Sequence, residues 1–247
     1  MRIPAVLIFV LLFHFAKAQN DSTSLQKNNV LIIPYNPMMH LSDADQDISE
    51  GSEKEIPEVR ATLRRELIRA LNKQFADLYN VNVIQNDFVG DEKSEEDLVY
   101  HTQYYEQDSV YPLRFPSRFQ KKDTASSLLA LKGKKYTGDT FYINSGLRDR
   151  KVFGSLENKY SNNYFIFINE LDIKTHFDDC INLAMKIYKR DLKVHYTIMD
   201  KEGKQIYGDV AVVHFQSNSN SVDEIAKENF PIMARQIYGA FQSAVRR

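Results

Sequence analysis

The stretch "HLSDADQDISEG", residues 40 to 51, sets Asp43, Asp45 and Asp47 at alternate positions behind His40. Carboxylates so spaced are how a calcium loop begins, because a hard cation draws several oxygens from a short length of chain. Counted from Asp43, such a loop needs glycine at its sixth position for the sharp turn and glutamate at its twelfth for bidentate ligation. Ile48 and Lys54 stand there, so the stretch is not an EF-hand. It reads as a solvated acidic loop, with Asp43, Asp45 and Asp47 as candidates only for a loosely held cation and no cofactor implied. A second cluster, "HFDD", offers His176, Asp178 and Asp179. Joined with His40, Asp43 and Asp45, it would supply the donors of a metal-dependent hydrolase, which is the alternative reading of the chain.

Other chemistry finds less support. No serine sits in a G-x-S-x-G elbow, and "YNPMMH" stands after the first strand where a phosphate-binding loop would be glycine-rich. Pairing Asp200 with Gln205 in a hairpin puts His195 opposite Val210 and leaves His214 four residues further, roughly 13 Å along the sheet. Those histidines are not a ligand pair. Arg60, Arg64, Arg65 and Arg69 crowd one helix, where Glu58 and Glu66 are expected to pair with them rather than an anion.

Charge is distributed unevenly. Residues 43 to 58 hold seven acids against Lys54, and residues 87 to 97 hold six against Lys93. Residues 111 to 136 reverse the sign, with seven bases against Asp123. Within that basic run, Tyr111, Arg114, Phe115, Arg118 and Phe119 interleave aromatic and cationic side chains as single-strand nucleic-acid binders do. The net charge excludes a global nucleic-acid footprint, so these five are the expected contact residues for an envelope protein or a polysaccharide.

Residues 1 to 18 explain the choice of partner. Arg2 precedes an almost wholly apolar run to Phe15, and Ala16-Lys17-Ala18 offers small residues at the positions a signal peptidase reads. The run is shorter than the roughly 20 residues a membrane span needs. The reading is a signal peptide, a mature chain from Gln19 in the periplasm or secreted, and no membrane span after cleavage. Removing 18 of 247 residues leaves 30 basic against 33 acidic side chains, a net charge of −3. The single cysteine, Cys180, cannot close an internal disulfide and is expected to be a small buried apolar residue.

These residues need a scaffold, and hydrophobic periodicity supplies one. "VLIIP" (30 to 34) is a buried strand, and Pro57 opens a helix whose apolar face runs through Val59, Leu63, Leu67, Leu71, Phe75 and Leu78. "VNVI" follows as a second strand. Ser94 and Asp97 approximate a capping box for another helix, with Leu98, His101 and Tyr105 on one side. Residues 106 to 160 lack clear periodicity beyond a possible strand "TFYIN" and read as a long irregular insertion. "NYFIFINELDIK" is a central strand, and 177 to 188 carries a short helical stripe. Leu192, Val194, Tyr196 and Ile198 then alternate into a hairpin that returns to Phe215. Ser221 with Glu224 caps a last helix, which Pro231 is expected to bend. The fold class is therefore α/β, a single mixed sheet of about five strands flanked by three main helices. A flexible segment, 19 to 29, precedes a single domain from 30 to 247.

The strands "VLIIPY" and "VNVIQN" and the hairpin "YTIMDKEGKQIYGDVAVV" together resemble the α/β domain shared by the amino-terminal domain of the Tol-system propeller protein and the curli-secretion lipoprotein family. The resemblance covers about half the chain. It implies envelope assembly or scaffolding by protein contact rather than catalysis. The chain departs from that group in its long 106 to 160 segment and in lacking a lipid-anchor cysteine after the apolar run.

Overall fold

A computed structural model describes residues 27–84, 94–109 and 141–246. The signal-peptide residues, most of the expected flexible segment, and Tyr111, Arg114, Phe115, Arg118 and Phe119 lie outside the described residues.

The fold is α/β, as the periodicity requires. Its main sheet is mixed and contains β1 (Asn29–Ile33), β2 (His40–Ser42), β3 (Asn80–Val83), β6 (Tyr164–Asn182), β7 (Ile187–Asp200) and β8 (Gln205–Gln216). Strand order is β3-β1-β6-β7-β8, with the short β2 pairing β6 beyond the end of β1. β1 runs parallel to both β3 and β6, while β6, β7 and β8 form an antiparallel meander. β1 is apolar throughout because both of its faces are covered: Val30 and Ile32 enter one core, Leu31 and Ile33 the other.

The first core is sealed by α1 (Asp45–Ser52), α2 (Ile56–Phe75) and a long C-terminal helix, Val222–Val245. Pro57 sits at the start of α2, where its missing N–H costs nothing, and Val59, Leu63, Leu67, Leu71 and Phe75 recur every fourth residue on the buried face. The helix stops at Phe75, so Leu78 is exposed instead of completing the stripe. In the C-terminal helix the Ser221 hydroxyl accepts from the Glu224 N–H, as its capping box requires. That helix continues as one element through Pro231, whose side chain faces solvent.

The second core lies against the opposite face, under α3 (Glu95–Thr102) and α4 (Arg150–Tyr160). α3 is capped by Ser94, but it buries Glu96 and Val99 while Leu98 and His101 are exposed, and Tyr105 belongs to the following strand. That strand, β4 (Gln103–Ser109), pairs antiparallel with β5 (Phe141–Leu147) as a separate two-stranded ribbon. The stretch expected to be irregular thus contains the end of β4, β5 and α4.

A bulge at Asn169 lets β6 serve both cores. Before it, Ile166 and Ile168 face the first core; after it, Leu171 and Ile173 do, because one extra residue inverts the alternation. The other face then carries Glu170, Asp172 and Lys174. The β7–β8 register places His195 opposite Val210, as expected, with one irregularity at Ile198/Met199. Gly203 closes that hairpin at φ 74°, and a Cβ there would stand 2.7 Å from the Phe153 ring.

Two local expectations are corrected. Residues 43 to 58 are not an acidic loop: most form α1 and the first turn of α2, held by buried Ala44 and Ile48, with Asp45 and Asp47 at a helix N-terminus that favours negative charge. Residues 177 to 188 are not helical either. β6 runs on to Asn182 and turns directly into β7, so the apolar stripe lies on a hairpin.

Candidate functional site

A cavity of about 580 Å³ opens where β1 and β3 end beside the start of α2. Ligands of open α/β sheets bind outside the carboxyl ends of parallel strands, and this crevice has that location. Its walls include Pro34, Ile56, Pro57, Ile68, Val83 and Ile84, and its rim carries Arg60, Arg64 and Arg65 against Glu96.

A chain of hydrogen bonds forms its floor. Tyr35 Oη lies 3.3 Å from His40 Nδ1, and His40 Nε2 lies 3.2 Å from Asp45 Oδ1. An imidazole protonated at Nε2 satisfies both, accepting from the tyrosine and donating to the carboxylate. Arg60 Nε donates to the other Asp45 oxygen at 2.6 Å. Burial works to raise the Asp45 carboxyl, but the hydrogen bonds from His40 and Arg60 outweigh it and hold it below its ordinary value. Burial pushes the Tyr35 phenol well up. Arg64 donates to the Tyr35 carbonyl at 2.9 Å, to Glu96 at 2.8 Å and to the Tyr100 hydroxyl at 2.7 Å, which fixes α3 to the end of β1. Arg65 and Arg69 pair with Glu66, as the helix spacing suggested; Arg60 and Arg64 find partners outside the helix instead.

The three alternating aspartates diverge. Asp43 accepts from Thr175 N–H at 3.0 Å and from its hydroxyl at 2.9 Å, joining β2 to β6. Asp45 serves His40 and Arg60. Asp47 pairs with Arg190, a guanidinium only 1 % exposed that also donates to Thr175 Oγ1 at 3.1 Å and to Asn220 at 2.6 Å. Residues two apart on a helix point about 200° apart around its axis, so Asp45 and Asp47 cannot share a ligand.

The hydrolase donor set does not assemble. His176 Nε2 stands 2.9 Å from Asp191 Oδ2, and His214 Nδ1 is 2.6 Å from Oδ1 of the same carboxylate, remote in the chain and in hydrogen bonding from the His40–Asp45 pair. Asp178 and Asp179 are exposed. Among the described residues no three His, Cys, Asp or Glu are placed to hold a metal ion. Cys180 is half-buried rather than buried, its Sγ 3.6 Å from the Ile187 carbonyl.

A second cleft, about 270 Å³, lies between the ribbon and the sheet and is lined by Glu170, Lys193, His195, Gln107 and Phe141 among others. Here β5 presents its unpaired edge to side chains. Ile143 N–H donates to His195 Nδ1 at 2.9 Å, Ser145 N–H to Thr197 Oγ1 at 3.2 Å, and the Ile143 carbonyl accepts from Asn169 Nδ2 at 2.7 Å. Buried side chains thus replace the strand that would otherwise be needed to pair this edge. Gly208 permits the close approach, since a Cβ there would meet the Tyr142 hydroxyl at 2.5 Å. Burial, reinforced by Asp172, pushes the Glu170 carboxyl up to about 7, and burial with Glu170 nearby pushes the Tyr105 phenol up to about 12. Neither Glu170 nor Tyr105 is marked by a local motif, because their meeting depends on a strand pairing and a ribbon docking remote in sequence.

The third feature projects. β8 pairs with β7 as far as Lys189, and Ser217 just past it bonds Tyr188, so the ribbon beyond Tyr188 is two strands wide. At its tip Phe177, Ile181, Leu183 and Met185 are 70, 50, 82 and 65 % exposed. Single exposed apolar residues are ordinary, but four on one projection form the kind of patch that marks an interaction site.

No protein-family model matches the chain, and no curated protein is detectably similar to it. No helix among the described residues is long and apolar enough to cross a membrane.

Proposed function

We propose that this chain is an exported, non-enzymatic binding or assembly module of the cell envelope, working in the periplasm through protein contact. The observation that carries the reading is the projecting β6–β7 hairpin, which exposes Phe177, Ile181, Leu183 and Met185 beyond the last supporting strand. Exposing that much apolar surface is unfavourable in water, and contact with a partner removes it. The signal-like residues 1 to 18 and the resemblance to the Tol and curli α/β domains support the same reading. The metal-dependent hydrolase is disfavoured, since His40 and Asp45 bond each other, Asp43 bonds Thr175, His176 pairs with Asp191, and Asp178 and Asp179 stand exposed.

The test is a photo-crosslinking amino acid at Leu183, with Leu98 on α3, an exposed apolar residue away from the hairpin, as control. Discrete adducts larger than the chain are expected from Leu183 in intact envelopes and not from Leu98. Equal, diffuse labelling from both positions would sink the reading. Intact mass of the recovered protein tests export separately: a chain beginning at Gln19 is expected, and recovery of only the full-length chain contradicts it.

A further inference from the structure

The tip of the β6–β7 hairpin and the crevice beside α2 match each other in character. The tip is a narrow apolar convexity, and the crevice is an apolar concavity of about 580 Å³. Their charges are opposed as well. The segment from Phe177 to Ile187 carries Asp178 and Asp179 against Lys186, whereas the crevice lining carries Arg60, Arg64 and Arg65 against Glu96. Arg60 and Arg65 keep 45 and 58 % of their side chains exposed despite their pairs with Asp45 and Glu66. A guanidinium has five N–H donors, so a second carboxylate is accommodated without breaking the first pair.

A chain cannot seat its own tip. His40, on the crevice floor, lies opposite Leu171 of β6. Leu171 pairs with Val194 and the ladder ends at Ile187, seven residues on along β7, so Leu183 just past it stands roughly 25 Å away at ~3.3 Å per residue. The occupant must come from another molecule. We infer that the crevice receives the hairpin tip of a second copy of this chain, and that two copies exchange tips about a two-fold axis. This rests on the contact reading proposed above and names its partner.

Buried area favours the reciprocal arrangement over a single seat. Four large side chains at the measured exposures present roughly 500 Å² of tip surface, at ~150–250 Å² for an aromatic side chain and somewhat less for the aliphatic ones. With the crevice wall included, one seat buries about 700 Å², well below the ~1,200–2,000 Å² of a stable interface, whereas two seats reach about 1,400 Å². Exchange of identical elements between protomers also closes the assembly and leaves no apolar tip exposed.

Sedimentation velocity on the chain purified from the envelope tests the exchange by complementation. The wild-type chain is expected to dimerise at micromolar concentration. Leu183→Asp combined with Met185→Asp removes the tip, and Ala61→Trp fills the crevice; each is expected to weaken self-association at least hundredfold. Because the tip variant keeps a good crevice and the crevice variant a good tip, mixing the two should restore one of the two seats, giving a heterodimer weaker than the wild-type dimer but at least tenfold tighter than either variant alone. Neither a tip-to-tip nor a crevice-to-crevice interface can do that. Ile68→Glu serves as a second crevice variant should Ala61→Trp unfold, with circular dichroism checking every protein. A wild-type chain that stays monomeric at 100 µM, variants that dimerise as tightly as the wild type, or a mixture no more associated at 100 µM than either variant alone would each overturn the inference. Crosslinks from Leu183 to a different envelope protein, with the chain monomeric, would overturn this occupant and leave the contact reading standing. Absence of specific crosslinks together with a monomeric chain would remove both.

Discussion

The two faces of the main sheet are held down by different physics. Against α2 and the C-terminal helix, β1, β6, β7 and β8 present Val, Leu, Ile and Tyr, and the contact there is almost wholly apolar. On the opposite face the apolar part is confined to the region under α3 and α4, and the remainder is a polar floor of Asn169, Thr197, His195 and Glu170 on which the β4–β5 ribbon rests. The first face depends on area removed from water and is indifferent to pH. The second depends on hydrogen bonds between groups that water would also satisfy, and it contains a carboxyl that titrates near neutrality. One sheet therefore carries both an unconditional contact and a conditional one.

Substitutions can break or sharpen this contrast. The largest effect is expected at Phe230, fully buried on the C-terminal helix. Phe230→Ala leaves a cavity in the apolar core and should cost about 4 kcal/mol, measured by urea denaturation, with the same loss at pH 5 and pH 8. A loss that changes strongly with pH would show that the apolar face is not independent of the polar one.

Next comes Asn169, which donates to the Ile143 carbonyl and to Thr197 and accepts from Ser145. Asn169→Ala strands those partners beneath the ribbon and should cost about 3 kcal/mol. Hydrogen exchange should show the loss concentrated in β4 and β5. Uniform deprotection of β1 and β6 would mean that the ribbon is not a separable layer.

The smallest effect has the opposite sign. Glu170 holds its proton up to about 7 in the folded chain, against an ordinary value of 4.5. Below 4.5 both states are protonated; between 4.5 and 7 the unfolded chain has released a proton that the folded chain keeps, so stability falls as pH rises through that window and levels off above it. Glu170→Gln removes the titration and should stabilise the protein by about 2 kcal/mol at pH 8, less at pH 5. An unchanged pH profile in this variant would place the linkage elsewhere.

Much of this arrangement was legible where one periodicity dominates. The strand "VLII", the Pro57 helix, the Ser221 cap and the His195–Val210 register each follow from local residues, and the structure contains them. α4 is hard to read from sequence although Asp149 caps it and Val152, Phe153 and Leu156 form its buried stripe, because Gly154, unfavourable in a helix interior, stands in its middle. α1 is masked by its acids Asp45 and Asp47, whose partners His40, Arg60 and Arg190 lie outside the helix. The hairpin tip misled in another way. Phe177, Cys180, Ile181, Ala184, Met185 and Tyr188 keep a helical spacing, yet Phe177–Asp179 bulge out of the ladder and the chain turns at Leu183 to Lys186, so the spacing does not report a helix. The Glu170 cleft had no local signature at all, being made where a bulge, a hairpin and a docked ribbon meet.

The root of the long ribbon is bound on every side. β6 is paired to β1 and β2 on one flank and to β7 on the other, and Arg190 clamps Thr175, Asp47 and Asn220 where the ribbon leaves the body of the sheet. A pull on the tip therefore runs lengthwise along β6 and loads those ladders in shear, with many hydrogen bonds resisting together, whereas a sideways pull would unzip them one at a time. Tension along the hairpin's own axis therefore passes into the centre of the fold.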